Sequence, residues 1–267
     1  MARRSAALEN GARSPSPGLG AETGPAAVFG TSYQLMKRHS GFIWSRAAWL
    51  GTAALVLVVV LYAAPLAGEQ RHPVSGRVIA QVMGYEGAEW LERPEREDEE
   101  QPSKAIKALG IKPGQTVADV GAGSGYYTVR LARQVGELGR VYATDIQPEM
   151  LSILRKRLSR ERLDNVELVQ ATEVDPRLPA GQLDLILMVD VYHELARPQE
   201  VLRNLRKALK PDGRLVLIEF RKESSWVPIR EEHKMSVKEA RMELEAEGYR
   251  FDRVIDVLPW QHILVFR

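Results

Sequence analysis

The sequence predicts an α/β fold, a doubly wound sheet of mostly parallel strands with helices on both faces. Two observations carry that expectation. From Lys104 onward, short runs rich in Val, Ile and Leu alternate with segments of helical period. Gly, Pro and Asp mark the junctions, as successive strand–helix–strand units require.

In chain order, Pro102–Leu109 is the helix that leads in and Thr116–Val120 a buried strand. Residues 124–135 read as a helix, Arg140–Asp145 as a second strand, and residues 148–159 as a helix with Pro148 in its first turn, where a missing N–H costs nothing. Val166–Gln170 is a short third strand, residues 183–190 a fourth and residues 213–220 a fifth. Before the fifth, Val201, Leu202, Leu205, Ala208 and Leu209 share one helical face, with Arg203, Arg206, Lys207 and Lys210 turned outward. Lys210-Pro211-Asp212-Gly213 closes that helix with a cation at its carboxyl end and a turn. A helix over 236–247 and strands over 249–258 and 261–267, joined at Pro259-Trp260, complete the pattern.

Composition narrows the chemistry. A chain of 267 residues, 45% hydrophobic and 27% charged, suits one catalytic-sized domain with extras rather than two large ones. It has no cysteine, so disulfides, thiolate metal sites and a cysteine nucleophile are excluded. The net charge of +2 hides an asymmetry: residues 1–50 carry Arg3, Arg4, Arg13, Lys37, Arg38 and Arg46 against Glu9 and Glu22, which leaves the rest mildly acidic. Nucleic acid is therefore not an expected partner.

Residues 1–46 read as a disordered basic segment, since 18 of the first 30 are Gly, Ala, Pro or Ser. The uncharged run 47–67, as a helix of about 1.5 Å per residue, would match the hydrocarbon thickness of a bilayer, which predicts a transmembrane anchor. The basic residues on its N-terminal side put the N-terminus in the cytoplasm and the domain across the membrane. The rival reading is a signal peptide, with Met36 as an alternative start; Pro65, three residues before a cut after Ala67, disfavours cleavage. Residues 68–103 read as a charged linker with Trp90 pinned to the domain, or else as a lid over the site that residues 104–267 would form.

The chemistry gathers where the first strand ends, at Asp119-Val120-Gly121-Ala122-Gly123-Ser124-Gly125-Tyr126. Glycines there let backbone approach a ligand. They fall at relative positions 1, 3 and 5, whereas a dinucleotide fingerprint wants 1, 3 and 6. An NAD-type oxidoreductase is therefore disfavoured. Asp145 ends the second strand 24 positions after Gly121, suitably placed for the ribose hydroxyls of an adenosine-type cofactor.

Residues 117–127 with Asp145, the stretch 183–195 containing His193-Glu194, and the stretch 209–220 resemble class I S-adenosylmethionine-dependent methyltransferases of the small-molecule, type 11-like subgroup. The likeness runs from Lys104 to Arg267 and implies a Rossmann-like seven-stranded sheet of order 3-2-1-4-5-7-6 with strand 7 antiparallel. It implies S-adenosyl-L-methionine as cofactor. Asp119 would meet the methionine amine directly or through water, and Gly121, Gly123 and Gly125 the methionine tail and ribose. Asp145 would hold the ribose diol and Ile146 pack on adenine, with Tyr126 and Asp190 also on the cofactor. Where the family often has Gly-Asp after strand 3, this chain has Ala171-Thr172-Glu173, so Thr172 and Glu173 are either the adenine contact or a helix N-cap with an acid in its first turn.

Methyl transfer from a sulfonium needs an aligned acceptor and little else, with a general base where the acceptor is a hydroxyl, amine or acidic carbon. His193 is the leading candidate, with Tyr192 and Glu194 beside it and Asp190 near; His233, Trp260 and His262 are weaker candidates for the acceptor pocket. No resident metal is expected, because the Asp/Asp/Asn pattern of metal-assisted catechol enzymes does not assemble. Arsenite methylation lacks its thiolates, and the Asp/Asn-Pro-Pro signature of amino-methylating DNA enzymes is missing. A small or lipid-like acceptor remains, with a non-catalytic ligand-binding module on the same scaffold as the alternative.

Overall fold

The computed structural model describes residues 69–267. The basic head and the apolar run 47–67 lie outside the described residues, and among those described no helix is long and apolar enough to cross a membrane.

Eight strands form one sheet: β1 (Thr116–Val120), β2 (Arg140–Asp145), β3 (Val166–Gln170), β4 (Leu183–Val189), β5 (Leu209–Arg221), β6 (Lys234–Met235), β7 (Phe251–Ile255) and β8 (Gln261–Phe266). Their order is β3-β2-β1-β4-β5-β8-β7, with β6 paired to β5 alone. Strands β1 to β5 run parallel, while β8 is antiparallel to both β5 and β7. The expected order therefore holds once the unanticipated two-residue β6, parallel to β5 at Phe220 and Arg221, is set aside.

Among the described residues, two α-helices, α1 (Arg96–Glu99) and α2 (Pro102–Leu109), precede the sheet; α3 (Tyr126–Val135), α4 (Pro148–Glu161), α5 (Pro198–Ala208) and α6 (Val237–Ala246) lie between its strands. The central strands are buried on both faces. Val120, Ile186, Met188, Leu215 and Leu217 pack with Leu202 and Leu205 of α5 and Leu244 of α6. Val117, Leu185, Leu187, Val216 and Ile218 face Leu109 of α2 and Leu131 of α3. Uninterrupted apolar runs of this kind are what two-sided burial in a parallel sheet demands.

Local sequence sets the ends. Ser236 accepts the Glu239 N–H while the Glu239 carboxylate accepts the Ser236 N–H, a capping box that starts α6. Helix α5 stops at Ala208 and Leu209 is already extended, so the expected helical Leu209 is corrected to the first residue of β5, paired with Leu183. Residues 210–213, expected as a turn, bulge out before Arg214 pairs with Leu185, and Lys210 Nζ reaches both Asp184 carboxylate oxygens at 2.8 Å across that bulge.

Residues 69–101 lie against the sheet's carboxyl edge. Ala80 N donates to His193 O at 3.1 Å and Gln70 Nε2 to Ala196 O at 2.6 Å. Arg77 is buried against Glu243 of α6 (Nε–Oε1 2.8 Å) and also donates to His193 O at 3.0 Å, with Ser75 and His72 completing the surroundings of that carboxylate. Trp90–Glu92 forms a single 3-10 turn whose Glu92 pairs with Arg157 and accepts from Ser124 Oγ.

Candidate active site

A cavity of about 780 Å³ opens at the carboxyl ends of β1, β2, β4 and β5, where open α/β sheets place their ligands. Its floor is the glycine turn. Gly123 has φ +53°, and a Cβ there would stand 3.0 Å from Leu91 of the covering turn, so cover and backbone are as close as glycine permits. Asp145 takes Gly123 N–H on Oδ2 and Gln147 N–H on Oδ1, both at 2.9 Å. Burial raises its pKa, opposed by these backbone donors. Among the expected site residues, Gly121, Gly123, Asp145, Ile146, Thr172, Glu173, Asp190, His193 and Glu194 line the cavity.

Several of the expected site residues do not line the cavity. Asp119 is buried below the wall, its Oδ2 taken by Thr128 Oγ1 at 2.6 Å, so its route to a ligand is through water. Gly125 lies outside the wall; its φ is +86° and a Cβ would overlap Leu154 Cδ1, so it serves the close packing of α3 on α4. Tyr126 stacks outside the cavity between Arg130 (3.9 Å) and Arg96 (4.3 Å), because the first residue of α3 points away from the turn. Tyr192 is wholly buried in the core beneath Arg77, because successive residues of the 3-10 turn Tyr192–Glu194 point in different directions. Trp260 and His262 also lie outside the wall, and His262 is buried in β8 opposite Glu219. No helix follows Thr172, whose hydroxyl instead closes a turn by accepting Asp175 N–H at 3.0 Å.

The far wall is a polar cluster that the sequence showed only in part. His193 Nδ1 donates to Glu219 Oε2 at 2.6 Å, and that carboxylate also accepts Tyr192 N–H at 3.0 Å. His193 Nε2 lies 3.1 Å from His233 Nδ1. Glu194 Oε1 stands 3.8 and 3.7 Å from those two nitrogens. Burial, with Glu219's charge nearby and His193 opposing, pushes the Glu194 carboxyl up to about 7. Glu219 went unassigned, although a charge that follows Leu215 and Leu217 on one face of an apolar strand was a readable signal.

Asp119 gives a pH prediction. Burial pushes its carboxyl up to about 6, against the Thr128 hydrogen bond, so between about pH 4 and 6 the folded chain holds a proton that the unfolded chain has lost. That stabilising proton is fully bound below the unfolded value and lost as pH rises through about 6. Denaturant titrations should therefore show wild type losing about 1.4 kcal/mol per pH unit relative to Asp119→Asn in that window, and nothing further above it. A flat difference across the window would mean the carboxyl titrates normally.

For a nucleoside cofactor bearing an ammonium group the wall fits. Asp190 has φ +52° and accepts on Oδ2 from Gln261 Nε2 at 2.7 Å, while its buried Oδ1 has no partner. Burial, then Glu100 and Glu219, lifts its pKa well above the carboxylate range, a state that a cationic ligand would relieve. Fold and wall together define an α/β protein with a ligand cavity at the carboxyl edge of its sheet.

Comparison with known proteins agrees. A family profile described as "Methyltransferase domain" matches residues 118–215. A solved S-adenosylmethionine-dependent methyltransferase from Aquifex aeolicus is 33% identical, with TM-score 0.66 over 69% of this chain and 98% of that one. The ubiquinone/menaquinone biosynthesis C-methyltransferase UbiE of Azotobacter vinelandii is 36% identical over 121 residues, 45% of this chain and 48% of its own length. The chain thus spans about half the length of the curated relatives it matches. It belongs to the S-adenosylmethionine-dependent methyltransferases, whose cofactor is S-adenosylmethionine.

Proposed function

We propose that this chain transfers a methyl group to a small or lipid-like acceptor that carries an acidic proton on a hydroxyl, an amine or an activated carbon. The observation that carries the reading is one continuous cavity with the Asp145–Gly123 cradle on one wall and His193, backed by the buried Glu219, on the other. S-adenosylmethionine, when bound, supplies a methyl already activated on sulfonium, so no covalent enzyme intermediate is required.

The chain's residues then have three tasks. Asp145 would hold the ribose diol, Ile146 pack on adenine, and Asp190 Oδ1, with Asp119 through water, meet the amine; Thr172 and Glu173 line the adenine end. His193, its Nδ1–H fixed by Glu219, presents Nε2 to the acceptor's proton, with Glu194 beside it. Trp90 and Leu91 exclude water from above. The UbiE relatives are named as C-methyltransferases, which favours carbon as the acceptor atom, and apolar lining at Val82, Met83, Phe220 and Ile229 suits a lipid-like body.

Calorimetry of the full chain tests the reading. S-adenosylmethionine and its demethylated product should bind, and NAD should not. Asp145→Ala is expected to weaken that binding by about 1.5–3 kcal/mol, the range for hydrogen bonds to a charged group; unchanged affinity would remove Asp145 from the site. Binding without methyl transfer to any hydroxylated aromatic or lipid acceptor would favour the non-catalytic module instead.

A further inference from the structure

The acceptor wall holds more donors than a lone general base needs. His193 Nε2, His233 Nδ1 and Glu194 Oε1 come from two short 3-10 turns, Tyr192–Glu194 and Glu231–His233, that meet at the sheet's carboxyl edge. Their separations are 3.1, 3.7 and 3.8 Å. Metal bonds of about 2.0–2.2 Å set neighbouring donor atoms roughly 3.0–3.4 Å apart, so these three stand within a few tenths of an ångström of a ligand set.

Two independent observations point the same way. The fully buried Glu219 receives the Nδ1 proton of His193 and leaves the Nε2 lone pair aimed at the shared point, the carboxylate–histidine support that metal-bound imidazoles have. Glu194 and Glu219 also lack any lysine or arginine ion-pair partner among the described residues, so two enclosed carboxylates stand without a fixed counter-charge.

We infer that His193, Glu194 and His233 bind one divalent transition-metal ion, zinc foremost, with Glu219 orienting His193. Two imidazoles and one carboxylate suit zinc or ferrous iron, whereas magnesium and calcium want oxygen donors. His233 takes the tautomer protonated at Nε2, which frees Nδ1 to ligate. Three protein ligands leave a position open toward the cavity, and an acceptor hydroxyl suits it: its oxygen binds the ion, its O–H bond breaks and the proton leaves to water. That last step alone rests on the methyl-transfer reading, with the ion then taking over the proton-lowering role of His193 Nε2; the ion site does not depend on it.

The test uses the full chain, stripped with a chelator and titrated with Zn²⁺ and, separately, Co²⁺. One ion per chain should survive gel filtration, and Co²⁺ should give visible absorption characteristic of nitrogen and oxygen ligands. His233→Ala should abolish retention, and Glu219→Gln should weaken it about 10–100-fold, as loss of an outer-shell partner does. His233 sits on a surface turn, so its metal-free variant should melt with metal-free wild type, which separates lost ligation from lost folding. No stoichiometric retention, or retention unchanged in both His233→Ala and Glu194→Gln, would overturn the site. Calorimetry with S-adenosylmethionine in chelator reports on the methyltransferase reading separately: cofactor binding without ion retention sinks only the metal site, and ion retention without cofactor binding sinks only that reading.

Discussion

Arg77→Met is expected to lower the free energy of unfolding by about 3–5 kcal/mol, the cost of leaving a buried partner charge uncompensated. Glu243 is fully buried, and Arg77 meets it with two nitrogens, at 2.8 and 3.1 Å. Its remaining neighbours, Ser75 and His72, cannot replace that charge, because burial lowers the His72 pKa and so favours the neutral imidazole. Chemical denaturation at neutral pH checks the value. The double variant Arg77→Met/Glu243→Leu should recover most of the loss, since removing both charges also removes their desolvation. If the double variant is as unstable as the single one, the damage lies in packing or in the lost bond to His193 O.

His193→Gln should cut turnover by about 10²–10⁴-fold, the span of general acid–base catalysis, while cofactor affinity stays near wild type. The asymmetry follows from position: His193 faces the acceptor wall, and Asp145, Gly121 and Ile146 stand on the other. Steady-state kinetics with calorimetry on the same preparation separate the two effects. Equal losses in cofactor affinity and turnover would place His193 on the cofactor instead. Gln was chosen because its amide can still donate to Glu219 and spare the fold.

Much of the sheet was legible: Thr116–Val120, buried along most of its length, reads as an apolar run, and Arg140–Asp145 and the half-exposed edge strand Val166–Gln170, bounded by turn residues, also have the expected bounds. Boundaries failed where strand pairing overrode a helical pattern, as at Leu209, which pairs with Leu183 of β4 instead of ending α5. On the site side, Asp145, Gly123 and His193 were readable because their spacing marks strand ends. Tyr126 and Tyr192 were not, since a motif gives position along the chain and not the direction of a side chain in a tight turn. The pairing of Glu219 with His193 joins residues 26 apart through the β4–β5 register, which no local pattern encodes.

The family profile covers only part of the cavity wall. Its match, 118–215, holds the cradle, whereas Val82, Trp90, Leu91, Ile229 and His233 fall outside it. Floor and ceiling are thus written in different stretches of chain. A substitution in the ceiling can therefore reshape the space above the cradle while leaving the backbone grip of Asp145 on Gly123 untouched.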